Sequence, residues 1–146
     1  MPKLKKLWGV AETTYFVGAS TRSVIAQLKA VAPELTMERG RGSHTKLRRF
    51  AVSAIESDAV VLAMIGTPRG ADLHWLLIIG IEHQLKQSRT TEPPKATALL
   101  GLDPSEPIAL LSTHNVRIEL GKHMVCRWQN ESDDELQLKA VLAVSR

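Results

Sequence analysis

His74 heads the apolar run "LHWLLIIGIEH", and Asp103 stands in "GLDPS", just past a second apolar run, "ATALLGL". An imidazole and a carboxylate are two parts of an acid–base relay: the acid orients the ring and the ring moves a proton. Both residues sit at the ends of segments with strand composition, where a residue that only filled the core would be aliphatic. If the runs form an antiparallel hairpin with its loop near residues 88 and 89, opposed residue numbers sum to about 177. His74 is then expected opposite Asp103, Ile78 opposite Leu99 and Gly80 opposite Thr97. Opposed side chains share a face, with Cβ atoms about 4.5–5.5 Å apart. The acid is expected to accept the Nδ1 proton, as in the second half of a nucleophile–His–Asp triad. The same spacing also suits a plain polar pair beside an Asp-Pro-Ser turn.

The elements that must carry these residues are legible from periodicity. Leu4, Leu7, Trp8, Ala11 and Tyr15 suggest a helix over residues 4–17. Val24, Ile25, Leu28 and Val31 stripe a second helix, with Ser20 or Thr21 as its cap and Pro33 as its stop. "TMERGRGSH" reads as a glycine-punctuated loop. Ser43 is expected to cap a third helix, "TKLRRFAVSAIE", with Leu47, Phe50, Ala51, Ala54 and Ile55 turned inward. From residue 58 the pattern changes to short apolar runs, separated by "QSRTTEPPK", Gly121 and "NESDDE". Helices first and strands second mean α+β: about three helices on an antiparallel sheet of five or six strands.

A chain of 146 residues builds one domain, here 1–146, with an aliphatic core because aromatics are only 4%. The single cysteine, Cys126, excludes an intrachain disulfide and a zinc site with several thiolates. It shares a strand face with Met124 and Trp128, which marks it as core. A reducing, cytoplasmic setting is expected. The N-terminus lacks a secretory h-region, and no apolar run approaches 18 residues, so no membrane partner is expected. His74, His83, His114 and His123 show no zincin spacing, and neither metal nor cofactor is implied. The net charge of +4 permits an acidic partner without choosing one. Arg39, Arg41, Lys46, Arg48 and Arg49 gather part of that charge. Arg41, Arg48 and Arg49 are candidate ligand contacts, for phosphate or nucleic acid among others. A solvated helix face explains the same run.

From about residue 8 to 144 the chain resembles the papain-like double-glycine leader peptidases, the bacteriocin-processing cysteine peptidases. The motifs are "GVAETTYF", "RGSHTKLRRF", "AVVLAMIG", "LHWLLIIGIE" and "ALLGLDPS", of which the His-Trp and Asp-Pro strands are the specific part. The resemblance implies a papain-like fold, with His74 as the base and Asp103 as the orienting acid. It also exposes a departure. The family places a cysteine before a glycine at the start of the first helix; here "LWGVAE" puts Trp8 there, and Pro2 to Leu7 include no oxyanion-hole glutamine. An indole is no nucleophile. Cys126 looks like core, while Ser20, Thr21 and Ser43 look like helix caps. The expectation is a degenerate peptidase-like domain that binds an extended peptide or protein near His74 and Trp75 without cleaving it. The alternatives are an active cysteine peptidase or amidohydrolase with another nucleophile, and a small basic nucleic-acid-binding or interaction module.

Overall fold

Ser20 turns the chain into helix α1, Thr21–Val31, by accepting a hydrogen bond from the Ser23 amide at 3.2 Å. The computed structural model describes residues 20–70, 73–84, 94–103, 114–121, 124–128 and 134–146. The helix expected over residues 4–17, Trp8 with it, lies outside them, as do His123 and most of the "QSRTTEPPK" and "NESDDE" segments. The α1 stripe of Val24, Ile25, Leu28 and Val31 is half-buried.

Residues Thr36–Arg39 form strand β1, where the sequence suggested a loop. The correction has a tertiary cause. The segment is polar and short, and it is extended because it pairs antiparallel with the chain's last strand, from Thr36 opposite Ser145 to Arg39 opposite Leu142. Helix α2, His44–Glu56, follows. Ser43 holds the N-cap position and its carbonyl accepts the Leu47 amide at 2.9 Å, but its side chain makes no capping bond, contrary to expectation. The helix ends with Asp58 at φ 60°, a left-handed conformation that a short polar side chain tolerates. The Asp58 amide reaches the Ile55 carbonyl and the Ala59 amide reaches that of Ala54, both at 3.0 Å, which closes the last turn.

The remaining strands are β2 Val60–Gly66, β3 His74–His83, β4 Ala96–Leu102, β5 Val116–Leu120, β6 Met124–Trp128, β7 Asp134–Glu135 and β8 Gln137–Ser145. All pair antiparallel in the order β1-β8-β2-β3-β4-β5-β6-β7. The class is therefore α+β: among the described residues there are two early helices and an antiparallel sheet of seven strands of four residues or more, against the five or six expected, with the two-residue β7 extending it. β7 runs through Leu136, whose amide donates to the Met124 carbonyl at 3.0 Å, directly into β8 on the other side of β2. The sheet thus curls on itself like an open barrel, with β1 added outside β8.

Strand alternation sorts the residues into two faces. Val61 lies opposite Ile78, Ala63 opposite Leu76 and Ile65 opposite His74. Leu99 lies opposite Ile118, and Ile118 opposite Cys126. This inner face joins Leu138, Val141 and, from α2, Leu47 and Ala51 in one core. Cys126 is fully buried in it. α2 packs on β8, β2 and β3. Each large aliphatic buried there stabilises by roughly 1.5–3 kcal/mol. Among the described residues, no helix is long and apolar enough to cross a membrane.

Candidate functional site

His74 opens β3 on the inner face, at the rim of the sheet. Its Nε2 lies 2.7 Å from Oδ1 of Asp103; the ring is 37% exposed and the carboxylate 3%. The imidazole therefore joins a buried acid to the solvent-accessible rim. When Nε2 carries its proton it donates to the carboxylate. This corrects the expectation that Nδ1 meets the acid.

The register is corrected as well. Leu77 faces Leu102, Ile78 faces Gly101 and Gly80 faces Leu100, two to three residues away from the anticipated pairing. The hairpin carries a bulge at Ile79, which leaves that side chain 42% exposed. The offset is already present beside the connection, where His83 faces Ala96, so the pairing is centred about one residue later than anticipated. Continued one residue, the observed register sets Asp103 opposite Leu76 and diagonal to His74. A shift of two keeps every side chain on its face, so the shared face survives the error. The diagonal offset also explains the choice of nitrogen: an acid one step away along the strand meets the outer atom of the ring.

Asp103 is held from behind. Its amide donates to Oδ1 of Asn115 at 2.7 Å, and Nδ2 of Asn115 donates to its carbonyl at 2.9 Å. Asn115 is 3% exposed, and its own amide reaches the Gly101 carbonyl at 3.1 Å. A Cβ on Gly101 would lie 2.9 Å from Val116 Cγ1 and 3.3 Å from the Leu77 carbonyl oxygen, so glycine is what lets the strands close up beside the acid. Burying a carboxylate costs several kcal/mol unless it is paired and hydrogen-bonded, by the order of magnitude for buried ions. His74 supplies a charge-assisted partner. Sequence reasoning did not single out Asn115; its signal is a polar amide where a buried strand begins.

The other candidates fall elsewhere. Trp75 pairs with Met64 and lies on the face opposite His74, because neighbours on a strand point to opposite sides. It is not beside the imidazole as anticipated. Arg48 donates to the carbonyls of Leu120 and of Gly121, the latter at 2.9 Å, and so straps α2 to the end of β5. Burial holds its guanidinium below the usual arginine range. Arg48 therefore serves the fold and stands apart from the open charges around it. Arg39, Arg41, Lys46 and Arg49 are exposed and make no side-chain hydrogen bond or ion pair among the described residues. An open groove of about 590 Å³ beside β1 is lined by Met37, Glu38, Arg39, Gly40, Arg41 and Phe50. β8 and β2 separate it from the strand of His74.

Two further histidines are engaged. His83 Nε2 lies 3.3 Å from Glu56 Oε1. His44 Nδ1 accepts the Leu138 amide at 3.2 Å, beside the bulge where β8 meets β2. Burial, then Arg48 and Lys139, push His44 below the usual histidine range. Among the described residues no three His, Cys, Asp or Glu side chains converge as a metal site would require. The corner formed by His74, Asp103 and Asn115 can orient a ring, exchange a proton through it, and hydrogen-bond a ligand at the rim. No protein-family model matches the chain, and no curated protein or solved structure shows detectable similarity to it.

Proposed function

We propose that the chain is a papain-like peptidase domain that has lost its thiol and holds an extended peptide without cutting it. One observation carries this reading: the contact of His74 Nε2 with the buried Asp103 Oδ1 at 2.7 Å. The resemblance implies a base at His74 and an orienting acid at Asp103, and a buried acid in contact with a ring at the rim supports that assignment. The chain's one cysteine, Cys126, is fully buried in the core, which speaks against thiolate catalysis at the rim. An extended ligand is recognised by backbone hydrogen bonds to a strand and by side-chain contacts at intervals of two. His74 contributes a polar contact to such a ligand.

The test is a titration of candidate peptides into isotope-labelled protein. Chemical-shift changes centred on His74, Asp103 and Asn115, with the peptide recovered intact, are expected. Silence at these residues across a broad peptide set overturns the reading. Iodoacetamide separates the active-hydrolase alternative: Cys126 should react only as the protein unfolds, and rapid labelling of the native protein would reinstate a nucleophile.

A second reading rests on the open cations Arg39, Arg41, Lys46 and Arg49, which suit an acidic partner such as nucleic acid. Retention on a DNA column that disappears in Arg41→Ala/Arg49→Ala would favour it.

A further inference from the structure

Asp103 lies just beyond the end of its strand. The β3–β4 ladder ends at Leu77 opposite Leu102, and the β4–β5 ladder at Gly101 opposite Val116. At that point the side chain of Asn115 replaces the ladder, accepting from the Asp103 amide and donating to the Asp103 carbonyl. Both groups of one residue are thereby held by a single planar carboxamide. Two such bonds fix the backbone of Asp103, and with it the direction in which its Cα–Cβ bond points. Pro104 follows in the sequence and restricts Asp103 to extended conformations, which favours the same geometry. The clamp is itself anchored, because the Asn115 amide reaches Gly101 and the residue is buried.

We propose that Asn115 is the positioning residue of the His74–Asp103 pair. Its carboxamide sets the place of the Asp103 carboxylate, and the carboxylate sets the orientation and tautomer of His74. Asn115 acts through Asp103 and needs no contact with a ligand. The inference rests on reading His74 and Asp103 as a functional pair, and extends that site by one residue that sits at the head of β5.

The imidazole nitrogens of His74 report the relay directly, in protein without ligand. Above the pH at which the ring ionises, their ¹⁵N shifts should show the Nε2–H tautomer in the native protein. Asp103→Asn should shift them toward averaged values, which establishes that the signal reads the pair. Asn115→Ala should do the same while the fold persists. Val116→Ala, a core truncation at the next residue, should leave the His74 shifts in place. If Asn115→Ala does not fold, Asn115→Ser is read in the same way. Unchanged His74 shifts in the folded Asn115 variant overturn the proposal, because the clamp then serves stability alone. An equal change in Val116→Ala overturns it as well, since any loosening of the core would then suffice. Peptide binding is scored separately: loss of the tautomer with no peptide bound by the native protein sinks the peptide reading and leaves the positioning role standing.

Discussion

His74 and His83 begin and end the same strand, and each presents Nε2 to a carboxylate. His74 meets Asp103 at 2.7 Å, and the acid is 3% exposed. His83 meets Glu56 at 3.3 Å, and that acid is 52% exposed. Water competes for every lone pair of Glu56, and its long side chain loses more rotamer freedom on pairing. Asp103 has surrendered its water and keeps its place through the backbone clamp of Asn115. Similar residue types thus give a loose surface pair at one end of β3 and a positioned device at the other. Burial and backing, more than the presence of a histidine and an acid, mark a candidate site.

The largest effect should come from the buried corner. Asn115→Ala leaves the Asp103 amide and carbonyl without that partner, at about 1–3 kcal/mol for each group stranded. Urea denaturation should register the loss. If the variant is as stable as the native protein, the contrast between the two ends of β3 fails.

A smaller effect is expected at His44, a histidine that meets a backbone amide instead of an acid. The native state resists its protonation, whereas the unfolded chain takes up the proton near the usual value of 6.5. The unfolded state therefore binds more protons as pH falls below that value, and stability declines. The decline ends once pH is below the lowered native value. His44→Asn keeps an acceptor for the Leu138 amide without titrating. Denaturation midpoints across this range should be flatter with pH in the variant; an unchanged slope would show that His44 does not link folding to protons.

On the outer face, Arg117 grips Glu82 through Nε and Nη2, and also Glu119 through Nη1. This ladder joins strands as the buried corner does, but in water. Glu82 is held below the usual carboxylate range chiefly by its hydrogen bonds to Arg117. Its contribution is present above the ordinary value of 4.5 and is lost as pH falls through the lower native value. Glu82→Gln at neutral pH should cost about 0.2–1 kcal/mol, and less in high salt. A larger loss would mean that exposed charge can do what burial does at Asp103.

The smallest change belongs to His83. Glu56→Gln should shift stability by less than about 0.5 kcal/mol, at the edge of what thermal melts resolve. An effect as large as that of Asn115→Ala would erase the distinction between the pairs.

Several features were written locally in the chain. The caps and stripes of "STRSVIAQLKAV" and the inward face of "TKLRRFAVSAIE" depend on a period of 3.6 within a dozen residues. The strand character of "HWLLIIGIEH" and "ATALLGL" depends on composition, and the alternation around Cys126 placed it in the core. Even the shared face of His74 and Asp103 needs only the parity of the register. That same parity sets Trp75 on the other face, and grouping it with His74 disregarded the alternation.

Tertiary structure alone decided the rest. The β3–β4 register is offset from its first pair, His83 opposite Ala96, before the bulge at Ile79 is reached, and the diagonal approach selected Nε2. Pairing with β8 turned a polar loop into β1, and the reach of Arg48 to β5 removed it from the exposed charges. Asn115 gained its meaning only when β5 brought it to the end of β4. Local periodicity is dictated by backbone geometry over a few residues. Register, edges and the partner of a buried polar group are set by contacts between segments far apart in the chain, and no short stretch of sequence contains both sides of such a contact.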